Sequence, residues 1–180
     1  MRLLLVTGST RTASTNTAAL RAAVELLGPE VDAVLHDSLV ELPAFDPDQD
    51  HDPLPAPVAR LRDAIGRAEG VVFCTPEYAG TLPGSFKNLL DWTVGGGELY
   101  GKPAAWINVA APGRGTGADA TLRTVLGYVG ADLLPSSGAR VNVPRDALDD
   151  QGAITAEPVR RELLRVLTAI VAEIEERRSP

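Results

Sequence analysis

The stretch Thr7-Gly8-Ser9-Thr10-Arg11-Thr12-Ala13-Ser14-Thr15-Asn16 places five side-chain donors close together: Ser9, Arg11, Ser14, Thr15 and Asn16. Hydroxyls and an amide donate readily to phosphate oxygens, and a guanidinium adds a charge-assisted bond. The apolar run Leu3-Leu4-Leu5-Val6 ahead of it reads as a buried strand, and a helical pattern begins near Asn16. The free N–H groups and the dipole of that helix's first turn would face the same loop and favour an anion there. Capping and a polar turn alone would need only one or two of these residues. The density of donors favours a phosphate.

Two further segments have the make-up of ligand loops. Pro76-Glu77-Tyr78-Ala79-Gly80-Thr81-Leu82-Pro83-Gly84 offers backbone N–H groups around two glycines, with one aromatic ring and one carboxylate, suited to the edge of a flat polar heterocycle. Pro112-Gly113-Arg114-Gly115-Thr116-Gly117 lets backbone approach a ligand closely through Gly113, Gly115 and Gly117. Turn chemistry accounts for either loop equally well. Glu77 has two readings, a direct chemical role or hydrogen bonding within its loop, and the second is favoured.

Familiar alternatives fail on spacing. There is no G-x-x-x-x-G-K-[ST], so a P-loop is excluded, and no G-x-G-x-x-G follows the first strand, as a Rossmann site requires. A cysteine-dependent phosphatase would need a thiolate beside Arg11, whereas the only cysteine is Cys74, within an apolar strand pattern. Asp46, Asp48 and Asp50 imitate the start of a calcium loop, but His51 occupies the glycine position and Pro57 that of the closing glutamate. The Asp/Pro-rich segment 43–57 is therefore expected to be a solvated loop. His36 and His51 lack metal-ligand spacing. Trp92, Tyr100 and Trp106 suit either a dimer interface or a shielded core.

The elements that must position these loops alternate. Strands are expected over 2–7, 31–35, 70–75 and 104–111, with a broken fifth at 131–134 and 139–143. Helices are expected over 16–27, 57–69, 83–94, 118–130 and 157–177. Such alternation implies a parallel sheet covered on both faces, with right-handed crossovers and a doubly wound order. Ligands then bind beyond the carboxyl ends of the strands, which is where the loops after strands one, three and four lie. The length of 180 residues suits one domain spanning 1–180. A net charge of −7 argues against nucleic acid and anionic membranes as partners. No signal peptide or membrane span is read in the chain, and one cysteine permits no internal disulfide, so a cytoplasmic setting is expected.

In order, Gly8-Ser9-Thr10-Arg11-x-x-Ser14-x-Asn16, Thr75-Pro76-Glu77-Tyr78-x-Gly80-x-x-Pro83-Gly84-x-x-Lys87-Asn88-x-x-Asp91-Trp92 and Gly101-Lys102-Pro103 resemble the NADPH-dependent FMN reductase family over roughly residues 2–130. The resemblance implies an α/β flavodoxin-like fold, a doubly wound five-stranded parallel sheet in the order 2-1-3-4-5, and bound FMN. Ser9, Arg11, Ser14, Thr15 and Asn16 would hold the FMN phosphate. Pro76, Glu77, Tyr78, Ala79, Gly80 and Thr81 would line the isoalloxazine, and the third contact loop, with Gly113, falls on 111–117. Ala79 stands where the family commonly has asparagine, and the third loop lacks the serine of many relatives. The expected activity is transfer of hydride from NADPH or NADH to FMN and reduction of a small acceptor: flavin, quinone, chromate or azo compound. No catalytic side chain is expected, because the flavin carries the chemistry. The alternative is a flavodoxin-type electron carrier. Homodimers or homotetramers are expected, without nucleic acid, membrane or metal.

Overall fold

Successive residues of the buried strands point to opposite faces of one sheet. In β1 (Arg2–Thr7), Leu3 and Leu5 join one apolar cluster while Leu4 and Val6 join the other; in β3 (Gly70–Cys74), Val72 and Cys74 part from Val71 and Phe73 in the same way. This period of two on both faces is the signature of a parallel sheet with helices on each side. In the computed structural model, which describes residues 1–178, the strands lie in the order β2-β1-β3-β4-β5. The last two positions of the 1–180 domain reading lie outside the described residues. β2 (Asp32–His36), β1, β3 and β4 (Pro103–Asn108) pair in parallel.

The fifth strand is broken, as expected. β5 (Asp132–Leu133) pairs with the start of β4 and β6 (Ala139–Arg140) with its end. Between them the regular pairing lapses, and Glu173 holds the connecting segment by accepting from the Ser136 N–H at 3.1 Å and its hydroxyl at 2.8 Å. β4 ends at Asn108, short of the 104–111 expectation, because the Asn108 Oδ1 accepts from the Ala110 N–H at 3.0 Å and turns the chain.

Helices α1 (Thr15–Leu26) and α5 (Glu157–Arg178) cover one face; α2 (Ala56–Arg67), α3 (Gly84–Asp91) and α4 (Thr116–Tyr128) cover the other. Ser14 caps α1 by accepting from the Thr17 N–H at 3.4 Å. Lys102 closes the exit of α2, donating to the Ala68 carbonyl at 2.5 Å and the Gly66 carbonyl at 3.3 Å. α3 stops before the expected Val94: the Thr93 hydroxyl takes the Leu90 carbonyl at 2.7 Å, and Gly95, Gly96 and Gly97 follow.

The segment 43–57 is less solvated than expected. Asn88 accepts from the Phe45 N–H at 2.7 Å and donates to the Pro43 carbonyl at 2.8 Å; the Trp92 indole donates to that carbonyl at 2.9 Å. The Phe45 ring meets Trp92 edge-on, with centroids 5.0 Å apart. Asp50 does not face water: it pairs with Arg62 at 2.5 Å, the two side chains being only 12% and 10% exposed, and Arg62 also faces Glu98 at 3.7 Å. Trp92 and Trp106 are core residues, not interface residues, whereas Tyr100 is 80% exposed.

Candidate functional site

β1 and β3 are neighbours, and the order reverses between them, so their carboxyl-terminal loops flank a crevice. The Gly8 N–H extends the ladder to the Cys74 carbonyl at 2.8 Å. A Cβ on Gly8 would lie 2.3 Å from the Thr75 hydroxyl and 2.9 Å from the Phe86 ring, so only glycine lets the two loops leave the sheet side by side.

The first loop is pinned from inside. The Thr7 and Thr17 hydroxyls meet at 2.9 Å, the Ser9 N–H donates to the Thr7 hydroxyl at 3.3 Å, and the Arg11 N–H donates to the Ser9 hydroxyl at 3.3 Å. Ser9 and Ser14 are buried and thus do perform turn and cap chemistry, yet each hydroxyl proton remains free to donate. Among the described residues, the backbone N–H groups of Thr12 through Asn16 have no acceptor within the protein. Arg11 is exposed and makes no ion pair among the described residues. Asn16 accepts from the Cys74 thiol at 3.3 Å. Burial pushes that thiol far above its ordinary pKa, which keeps it protonated and unreactive.

The second loop is a tight turn. Tyr78 and Thr81 exchange backbone hydrogen bonds at 3.0 and 3.1 Å around Ala79 (φ +50°) and Gly80 (φ +75°), so both central residues lie in the left-handed region. The Tyr78 and Thr81 N–H groups are therefore taken up within the turn. Of the backbone N–H groups in 77–81 expected to meet a ring, those two are unavailable.

Glu77 does what the second of its readings describes. Its carboxylate accepts from the Gly117 N–H at 2.7 Å and the Ala118 N–H at 3.1 Å, at the N-terminus of α4. A Cβ on Gly117 would lie 2.0 Å from the Gly80 carbonyl oxygen, so this glycine serves contact within the fold, not contact with a ligand. Thr81 and Thr121 share a further bond at 2.9 Å. Gly115 packs on Asn108, and only Gly113 of the three loop glycines has open space beside its Cα. The third loop is steadied by Asp119, which accepts from the Trp106 indole at 3.0 Å and from the Asn108 amide at 2.7 Å, and faces Arg140 at 3.3 Å. None of these long-range bonds has a signal in local sequence spacing.

The three loops enclose a cavity of about 400 Å³, lined among others by Thr15, Asn16, Pro76, Glu77, Ala110 and Arg114. Ser9, Arg11 and Ser14 lie on the same loop but outside that lining, and Tyr78, Ala79, Gly80, Thr81 and Gly113 stand beyond it in the second and third loops. Its size is within the range of ligand pockets.

A parallel sheet in this order, with a donor-rich helix entry and a cavity at the switch point, defines a flavodoxin-like α/β protein. A family model described as NADPH-dependent FMN reductase matches residues 1–143, and the chain belongs to that family of flavin oxidoreductases. It is 31% identical over 173 residues to an NAD(P)H-dependent FMN reductase of Pseudomonas aeruginosa, covering 94% of this chain and 93% of that one. It is 29% identical to a 2-hydroxy-1,4-benzoquinone reductase of a Burkholderia species, covering 99% and 98%. The solved structure of FerB, a flavoenzyme NAD(P)H:(acceptor) oxidoreductase of Paracoccus denitrificans, superposes with a TM-score of 0.84 at 29% identity over 97% of both chains.

Proposed function

We propose that this protein holds FMN at the switch point and, with NADPH or NADH as hydride donor, reduces a small acceptor of the quinone class. The observation that carries the reading is the row of N–H groups from Thr12 to Asn16, without protein acceptors among the described residues: Thr15 and Asn16 line the 400 Å³ cavity, and Thr12 to Thr15 line a groove that shares Thr15 with it. These donors fit a phosphate monoester: a helix entry, the protons of Ser9, Ser14 and Thr15, the Asn16 amide, and the Arg11 guanidinium. The ring would lie against Pro76 and Glu77, with the N–H groups of Glu77, Ala79 and Gly80 facing its edge and Gly113 leaving the opposite side open. FMN, when bound, supplies the hydride-accepting ring and passes the electrons on. The protein binds and orients it; Glu77 acts by fixing the turn to α4.

Among the similar proteins, quinone reductases of Pseudomonas putida and Escherichia coli stand beside an NADPH azoreductase of a Bacillus species, and the quinone reading rests on the quinone reductases being the more numerous. We place the protein in the cytoplasm, as a single domain that assembles into a homodimer or homotetramer. Among the described residues, no helix is long and apolar enough to cross a membrane.

The test is anaerobic mixing of the FMN-loaded protein with NADPH or NADH. The yellow flavin absorbance should disappear, and addition of a quinone should restore it with repeated oxidation of nucleotide. Protein that stays yellow with both nucleotides, yet is reduced by dithionite, would be an electron carrier and would end the enzymatic reading.

A further inference from the structure

The lining of the 400 Å³ cavity holds one cation, Arg114, and one carboxylate, Glu77. The carboxylate is committed to the Gly117 and Ala118 N–H groups. Among the described residues the Arg114 guanidinium forms neither an ion pair nor a hydrogen bond. Its backbone, by contrast, is held closely. The Arg114 N–H donates to the Ala111 carbonyl at 3.0 Å, and the Arg114 carbonyl accepts from the Arg140 guanidinium at 2.9 Å. Arg140 also faces Asp119 at 3.3 Å; Asp119 accepts from the Asn108 amide, which in turn reaches the Gly115 carbonyl at 3.2 Å. Arg140 arrives from β6, the second half of the broken strand, and neither Arg140 nor Asp119 lines the cavity. The result is a free guanidinium carried on a fixed backbone.

We propose that Arg114 compensates the charge of reduced FMN, and that Arg140 is a positioning residue acting through the Arg114 carbonyl. The inference rests on the reading of the cavity as a flavin site. A hydride carries two electrons and one proton from the nicotinamide, which leaves as the oxidised nucleotide, so the ring gains one negative charge. A quinone then takes the two electrons with two protons, one from the ring and one from water. In a chain of net charge −7 that also holds the FMN phosphate, a further negative charge is disfavoured unless a cation stands near it. The lining supplies no ready acid to neutralise it, since Glu77 is an acceptor and the other polar side chains are hydroxyls and an amide. A guanidinium keeps its charge throughout the working pH range, and charge near the ring is one of the means by which a protein tunes a flavin.

The test is the two-electron potential of the FMN-loaded protein, measured by reductive titration against a reference dye and compared with free FMN. The difference reports how much more tightly the reduced than the oxidised cofactor is held. Arg114→Gln should loosen reduced FMN about tenfold relative to oxidised FMN, a fall of about 30 mV in potential. Arg114→Lys, which keeps the charge, should recover most of it. Arg140→Ala should show part of the fall, and the Arg114→Gln, Arg140→Ala double variant no more than Arg114→Gln alone, because the two act as one unit. An unchanged potential in Arg114→Gln that still binds FMN would overturn the inference; if NADPH or NADH still bleaches the flavin, the proposed function stands without it. Equal falls in Arg114→Lys and Arg114→Gln would also overturn it, since charge would not be the cause. Additive falls in the double variant would remove Arg140 as the positioning residue. Wild-type protein that binds no FMN would refute the reading of the cavity, and the inference with it.

Discussion

Glu77 shows how one carboxylate can matter to a flavin site without touching the chemistry. It sits at the N-terminus of α4, where two N–H groups and the helix dipole all favour its charge. Replacing it with alanine leaves those N–H groups without their acceptor and frees the 76–81 turn from the helix. Glu77→Ala should lower stability by about 1–2 kcal/mol, read as a fall in the urea midpoint at unchanged slope, and should weaken FMN binding. Glu77→Gln, which keeps an acceptor oxygen, should recover most of both. If Glu77→Ala abolished turnover while stability and FMN affinity stayed at wild-type values, the residue would have a direct chemical role instead.

At the scale of elements, the turn Tyr78-Ala79-Gly80-Thr81 is where sequence and geometry disagree. Both central residues have positive φ, a conformation that glycine adopts freely, asparagine tolerates and alanine resists. Ala79→Asn should therefore stabilise the fold by up to about 1 kcal/mol, a rise in Tm of roughly 2–4 °C for a chain of this size. Gly80→Val, forced into the same region with a branched side chain, should disrupt the turn and weaken FMN binding while the far-UV signal of the fold survives. Unchanged flavin binding in Gly80→Val would remove this turn from the site. Local patterns narrow the strand order only to doubly wound orders, and the order itself comes from the family resemblance. Most element boundaries were legible in the sequence because period-two and helical apolar patterns are local, and because Gly28-Pro29 and Gly130 punctuate them. The donor loop was legible for the same reason. What was not legible joins residues far apart in the chain: Glu77 to Gly117, Asp119 to Trp106, Asp50 to Arg62, and Asn88 and Trp92 to Pro43. Each depends on which elements the crossovers bring together, and no spacing within one segment records that. The Lys87-Asn88-x-x-Asp91-Trp92 motif looked like part of a flavin signature, and in the structure its Asn and Trp tether a loop.

For the molecule as a whole, the proposed homodimer can be tested at one surface. Trp92 and Trp106 are buried and cannot supply it, but Val94, Tyr100 and Tyr128 are 60%, 80% and 90% exposed, and with Thr93, Gly97 and Val129 they rim one apolar hollow. Clustered exposure of this kind marks an association surface more often than scattered apolar residues do. Sedimentation at micromolar concentration should give at least twice 18.9 kDa, and Tyr128→Glu should return the protein to a monomer. A wild-type monomer with full activity would refute the assembly.

The broken outer strand has a bearing on how this chain behaves in a crowded solution. The β4 carbonyls at Ala104, Trp106 and Asn108 are all served, by Leu134, Gly138 and Val141. Beyond β4, however, the rim of the sheet never runs straight for more than two residues: Pro135 has no N–H to offer, and that of Ser136 is already held by Glu173. A foreign strand arriving at this rim finds no row of open backbone groups to zip onto. The same interruption that shortens the sheet therefore guards this edge of it against edge-to-edge pairing.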